Sequence, residues 1–277
     1  MGKNGVLKKI SFIIGLILCS YPLVSGIIQQ HAQKGAVATY QRMIENTSDS
    51  SIENTLTKAN EYNEILYKSK KLTLNSEDIK ILSEENYNQT LNMGNGVIGS
   101  IEIPIINVNL PIYHGTSEEV LSVGVGHLNG SSLPIGGINT KSILTAHRGL
   151  PSSKLFTRLD EMELEDLFFI NILDETLAYK VTDIKVIEPE DVSSLEIEEG
   201  RDLISLITCT PYGVNTHRLV VTGERTEYEK EVYENIEKRT MSIREITFTV
   251  IPFIFILIVI IKKVKSRKEK ENEAKEN

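Results

Sequence analysis

Cys209 stands in the segment Thr208-Cys209-Thr210-Pro211-Tyr212-Gly213, at the end of the apolar run 203–207. The proline and glycine that follow it end a strand. A cysteine at a strand end is fixed by the sheet yet open to a substrate. Its thiolate is a nucleophile and needs a cation or base nearby. A second candidate is His147 in Thr145-Ala146-His147-Arg148-Gly149, where a β-branched strand again runs into a turn. Histidine works as general acid or base near neutral pH. His31, His114, His127 and His217 compete for that role, and residue types alone do not choose among the five. The third candidate, Arg218, lies nine residues beyond Cys209 and past the turn at 212–215. A hairpin brings it back alongside the cysteine, where a guanidinium binds a substrate carbonyl or stabilises a developing oxyanion. Each reading has a plain rival: an inert buried thiol, a satisfied core histidine, a surface arginine.

These residues need a rigid frame, and the chain has the material for one. Of 277 residues, 40 % are hydrophobic and 25 % charged, the proportions of a folded protein. The net charge of −8 argues against a nucleic-acid binder. Two cysteines make neither a disulfide scaffold nor a four-cysteine zinc site. From Gly94 on, short β-branched runs alternate with Gly, Pro and Asn. Strands are expected at 97–103, 108–112, 142–145, 167–173, 178–187, 204–208 and 218–223. Strands of that length and spacing suggest an antiparallel sandwich or a closed barrel, and ~130 residues suffice for one core. Residues 29–93 contain no proline and show apolar positions at helical spacing, as in Leu56, Ala59, Tyr62 and Leu66. Asn75 or Ser76 is placed to cap a second short helix through Glu77 and Asp78. This stretch reads as a helical neck or cover.

Two apolar runs flank this region. Residues 10–28, ISFIIGLILCSYPLVSGII, carry no charge and follow Lys3, Lys8 and Lys9. Residues 246–261, ITFTVIPFIFILIVII, precede Lys262, Lys263, Lys265, Arg267 and Lys268. Both are expected to span a membrane, the second with help from snorkelling basic residues. A cleaved signal peptide is the rival reading of the first. The basic flanks place both termini in the cytoplasm and the intervening region outside. The expected organisation is a cytoplasmic start at 1–9, a span at 10–28, a helical region at 29–93 and a β domain at 94–227. A linker at 228–245, a span at 246–261 and a charged tail at 262–277 complete it. Cys19 then lies in the membrane, and Cys209 is the one ectodomain cysteine, with no partner for an intramolecular disulfide.

The segments Thr-Ala-His-Arg-Gly-Leu-Pro at 145–151 and Leu-Phe-Thr-Arg-Leu-Asp at 155–160 resemble the histidine segment of sortases. Ile-Thr-Cys-Thr-Pro-Tyr-Gly-Val-Asn-Thr-His-Arg-Leu at 207–219 resembles the cysteine–arginine segment of class C, the pilin-polymerising group. Ile-Glu-Ile-Pro-Ile-Ile-Asn-Val from Ile101, Leu-Pro-Ile-Tyr-His-Gly-Thr from Leu110 and Gly-Val-Gly-His-Leu-Asn-Gly-Ser-Ser-Leu-Pro from Gly124 fit as well. The resemblance covers about 94–224. It implies an eight-stranded β-barrel preceded by helices and flanked by two membrane helices. It makes Cys209 the nucleophile, His147 the general acid and Arg218 the substrate-binding and oxyanion residue. Thr208 and Thr145 are expected beside the substrate. The implied reaction cleaves an LPxTG-like sorting signal between Thr and Gly through a thioester. A pilin lysine then takes the acyl group. No cofactor is implied. The rivals are a housekeeping sortase that uses a cell-wall amine, and a non-catalytic pilus-assembly or adhesion module on the same barrel.

Free cysteine and histidine titrate near ~8.5 and ~6.5. At pH 7 such a pair stands mostly as thiol and neutral imidazole, whereas attack needs thiolate and imidazolium together. One departure from the class C pattern concerns the lid. The Asp-Pro-aromatic motif is absent, since no proline lies between Pro22 and Pro104, and Asp78 is a poor substitute. If a lid exists regardless, truncation to Asn92 raises peptide cleavage. The acidic clusters at 161–165 and 196–199 read as solvated faces rather than calcium sites.

Overall fold

The computed structural model describes residues 3–70, 72–94, 96–237, 246–247, 250–251, 253–254 and 256–265. The chain divides into two compact units, Met1–Tyr21 with Arg239–Asn277, and Pro22–Lys238.

The larger unit is built on a closed barrel. Its strands are β1 (Val97–Ile103), β2 (Val108–His114), β3 (Val125–His127), β4 (Thr140–Thr145), β5 (Leu167–Ile172), β6 (Glu175–Ile187), β7 (Asp202–Thr210) and β8 (His217–Thr226). They follow one another around the barrel as β1-β2-β3-β4-β7-β8-β6-β5, and β5 closes onto β1. The β2–β3 and β4–β7 pairs are parallel and the others antiparallel. Closure removes every free sheet edge. Alternation sends Ile101, Ile112, Leu144, Phe168, Ile170, Leu206 and Val221 to the interior, all buried. Phe168 and Tyr179 stack there with centroids 5.5 Å apart. A closed barrel therefore decides between the two architectures left open by the strand pattern. The strand absent from that pattern is β3, whose three residues Val-Gly-His carry no alternation to read.

The helices that precede the barrel are α1 (Lys3–Glu45), α2 (Asp49–Ser69), α3 (Ser76–Ile81) and α4 (Glu84–Gln89). Asn75 caps α3: its side chain accepts from the N–H groups of Glu77 and Asp78 at 2.8 and 2.9 Å, and Asp78 accepts from the Asn75 N–H at 3.0 Å. Asp78 is thus committed to a capping box. These helices share the barrel's core, because Tyr40, Ala59, Tyr62 and Tyr87 are fully buried within it. Tyr40 donates to the Ile98 carbonyl at 3.1 Å and accepts from the Leu173 N–H at 2.8 Å. Asn63 bonds the Leu133 N–H and carbonyl at 2.7 and 3.1 Å. Two short helices complete this unit, α5 (Glu118–Val123) and α6 (Lys230–Glu234). In the stretch read as a linker, Tyr228 and Tyr233 pack edge-on against Phe169.

In the smaller unit, residues 250–251, 253–254 and 256–265 are helical. Neither expected span gains support: among the described residues no helix is long and apolar enough to cross a membrane. Residues 248, 249, 252 and 255 of the second run lie outside the described residues, as do 238–245 and 266–277.

Candidate functional site

β4 and β7 run parallel, with Thr145 beside Ile207. Two residues further along both chains stand His147 and Cys209. The Ala146 N–H donates to the Ile207 carbonyl at 3.2 Å, and the Thr208 hydroxyl donates to the Ala146 carbonyl at 2.8 Å. Strand pairing thus continues past the end of β4 and delivers His147 beside the cysteine. On the other flank β7 and β8 are antiparallel, with Cys209 directly opposite Arg218. Residues so placed bring their Cβ atoms within ~4.5–5.5 Å. Three adjacent strands therefore converge their ends on one spot. All three side chains are half-buried there, and the thiol is free.

Each member has a defined setting. The His147 Nε2 lies 3.2 Å from both carboxylate oxygens of Glu118, at the start of α5. The Arg218 Nη1 donates to the carbonyls of Asn215 and His217, at 3.3 and 3.0 Å, so the β7–β8 turn holds the guanidinium. That turn is closed by the N–H groups of Val214 and Asn215 on the Pro211 carbonyl. Thr145 is half-buried at the end of β4. Thr208 has a different position from the one expected. It is 1 % exposed with its hydroxyl committed to Ala146, so it ties the histidine strand to the cysteine strand and presents nothing to a substrate.

Arg148 and Glu118 belong to the site and were not singled out by sequence reasoning. Arg148 is 7 % exposed, a cation pushed under the cysteine strand. Its Nη1 donates to the Thr210 Oγ1 at 3.1 Å and reaches the Cys209 carbonyl at 3.5 Å, while Nη2 meets Asp160 at 2.5 Å. The guanidinium also stands 5.7 Å from the centre of the Tyr212 ring. Gly149 is required beside it. Its φ is +78°, and a Cβ there meets the Tyr212 ring at 3.1 Å. The signal for Arg148 was its place next to His147. Glu118, 29 residues earlier, had none.

The other histidines take other parts. His127 is fully buried. Its Nε2 lies 2.8 Å from the Ser132 carbonyl, and its Nδ1 lies 2.8 Å from the Tyr87 hydroxyl, which donates to the His127 carbonyl at 2.9 Å. Burial pushes His127 down to about 4, with the Ser132 carbonyl opposing and neighbouring His114 assisting. Burial also pushes His114 down to about 4, against a hydrogen bond to Thr90. His217 pairs with Glu188 at 3.2 Å, and His31 is exposed on α1.

Several carboxylates of the two acidic clusters face cations. Glu161 binds Arg158, Glu165 binds Lys180, and Glu198 meets Lys141 and Arg201. Among the described residues no group of three or more His, Cys, Asp or Glu side chains is arranged for a metal.

Comparison with known proteins agrees with this geometry. The family model for the sortase domain matches residues 101–226. The crystal structure of sortase C1 from Streptococcus agalactiae is 44 % identical; the match covers 70 % of this chain and 99 % of that one, with a TM-score of 0.64. Clostridium perfringens sortase C, solved with the C-terminal cell wall sorting motif, is 41 % identical over 70 % of this chain and 99 % of that one, with a TM-score of 0.60. Sortase A of Streptococcus agalactiae serotype III is 27 % identical over 183 residues, 62 % of this chain and 73 % of that protein.

Proposed function

The chain belongs to the sortase family of cysteine transpeptidases, and from that premise we propose that it polymerises pilins. The observation that carries the reading is the placement of Cys209 opposite Arg218 on β7 and β8, with His147 brought beside them by the parallel β4. The class C character of its structural neighbours supports the same choice.

In this reading the Cys209 thiolate attacks the carbonyl of the threonine in an LPxTG-like signal. The electron pair moves onto the carbonyl oxygen, where the Arg218 guanidinium meets the developing charge. Collapse of the tetrahedral intermediate breaks the Thr–Gly bond. His147 gives its proton to the departing glycine amine, leaving an acyl thioester on Cys209. A pilin lysine amine then attacks that thioester and loses its proton to His147. The thiolate leaves, and a Thr–Lys isopeptide bond is released.

The apolar surface of the first part of α1 supports membrane anchoring. Along α1 the side chains of Ile10, Phe12, Ile14, Ile17, Leu18, Tyr21, Val24, Ile27 and Ile28 are 48–69 % exposed. Such a surface is costly in water at ~25 cal/mol per Å², and a bilayer covers it. In this arrangement both termini are cytoplasmic and the barrel lies outside a Gram-positive cell. Protease added to intact protoplasts then removes the barrel and spares both ends.

The reaction is tested by incubating the protein with an LPxTG-type peptide and a lysine-bearing pilin domain, with Cys209→Ala in parallel, and reading products by mass spectrometry. A Cys209-dependent Thr–Lys isopeptide is expected. Transfer only to a peptidoglycan cross-bridge amine overturns pilin polymerisation in favour of wall anchoring.

A further inference from the structure

We propose that Glu118 is a positioning residue for His147, and that Gln33 of the N-terminal helix holds it there. The inference rests on His147 being the acid of the reaction above. It gives α1 a part in the chemistry instead of the part of a cover.

Glu118 opens α5, a helix of six residues. Six residues are too few for a helix to stand alone, and none of the six is fully buried. Something else must hold it, and α1 does so at its C-terminal end. The Gln33 Nε2 donates to the Val123 carbonyl at 3.0 Å, and the Gln29 Nε2 donates to the Ser122 carbonyl at 3.3 Å. These are among the last carbonyls of α5, which have no partner within the helix. Gln33 is itself 6 % exposed, and its second amide hydrogen goes to the Ser153 hydroxyl at 2.9 Å. Ser153 is 4 % exposed and lies in the loop that His147 opens. One buried amide therefore joins two segments, the helix that carries Glu118 and the loop that follows His147. At their other ends these segments meet through the His147–Glu118 contact.

The consequence concerns the imidazole ring. Which nitrogen of a histidine carries its proton is set by the bond that the other nitrogen makes. With the Nε2–H donated to Glu118, Nδ1 is left for the reacting atoms. In the imidazolium it carries the proton that His147 gives up, and the neutral ring that remains keeps its Nε2–H on Glu118. Without Glu118 the ring is free to turn, and a fraction of molecules present the wrong nitrogen. Both partners are partly solvated, so the contact is weak in itself. The expected loss is three- to tenfold in rate, on the order of one exposed ion pair.

The test compares the full-length protein in detergent with Glu118→Ala, Glu118→Gln, Glu119→Ala, Gln33→Leu and His147→Ala. Peptide transfer gives kcat and KM, and the 15N shifts of labelled imidazole report the tautomer. Glu118→Ala is expected to lower kcat about three- to tenfold with KM unchanged, and to shift His147 away from the Nε2–H form. Glu118→Gln retains most of the rate, since an amide oxygen still accepts the Nε2–H. Glu119→Ala changes nothing. Gln33→Leu lowers kcat alone, and adds little in the Glu118→Ala background because both act through one contact. If Gln33→Leu fails to fold, the exposed Glu118 variants decide the matter. Wild-type kcat and an unchanged imidazole spectrum in Glu118→Ala, while His147→Ala is inactive, overturn the proposal and spare the reaction. An active His147→Ala overturns the role of His147, and the proposal with it.

Discussion

His127 and His147 leave neighbouring strands of one barrel and live in opposite surroundings. On β3, His127 is fully buried, with Tyr87, Ser131 and the Ser132 carbonyl around its ring. Past the end of β4, His147 is half-buried and meets one carboxylate. The first ring is held neutral by desolvation and has no route to exchange a proton with a substrate. The second sits where strand ends converge and has a nitrogen to spare. Residue type did not separate them. Burial and the count of partners do.

The contrast is sharpest when broken by mutation. Cys209→Ala and His147→Ala are expected to reduce transpeptidation at least ~10³-fold, about 4 kcal/mol of barrier. The thermal midpoint stays near wild type, as calorimetry will read. Next comes Arg218→Lys, with an expected ~10²-fold loss in kcat/KM. An ammonium keeps the charge and loses the fork that, in the proposed mechanism, meets carbonyl and oxyanion together. His127→Phe behaves in the reverse manner. It leaves the Tyr87 hydroxyl short of one partner and is expected to cost about 2–3 kcal/mol in chemical denaturation. The rate per folded molecule is retained.

The smallest effect is that of mild acid, over the first pH unit. His114 and His127 titrate at about 4 in the folded chain and near ~6.5 once unfolded. Below pH ~6.5 the unfolded chain binds protons that the folded chain refuses, so stability falls with pH. The contribution is complete above pH ~6.5 and is lost progressively down to about 4. The first pH unit below 6.5 removes about 1 kcal/mol per histidine, about 2 kcal/mol for the two together. Denaturation midpoints at pH 7, 6 and 5 will show the slope, and His127→Phe will reduce it by about half, leaving the share of His114. Equal slopes in both proteins would mean that the Tyr87–His127 node is not what acid attacks.

Much of the frame was legible. The strand expected at 97–103 is β1 to the residue, because its β-branched run is bounded by Gly96 and Pro104. Closure was not legible, since a sandwich and a barrel share strand length and turn spacing. The opposition of Cys209 and Arg218 followed from the length of one hairpin. Glu118 and Arg148 escaped for different reasons. The Glu118 contact is tertiary, and nothing at its spacing points to His147. Arg148 looked like an ordinary polar residue until its burial put a guanidinium against the Cys209 carbonyl. The helices before the barrel were read as a cover from their polar composition. Their few apolar residues, Tyr40, Tyr62 and Tyr87 among them, are large enough to join the core.

The parallel pairing of β4 with β7 also bears on when the enzyme becomes competent. Parallel neighbours cannot be joined by a hairpin, so between Thr145 and Asp202 the chain must first lay down β5 and β6. Contacts of such sequence separation form late, after a large loop-closure cost. A nascent chain therefore carries His147 well before Cys209 has a seat beside it. Under the proposed mechanism, transpeptidation begins only when the last two strands lock in. Turnover is thus a direct reporter of a finished barrel, and its appearance during refolding should lag the recovery of helical signal.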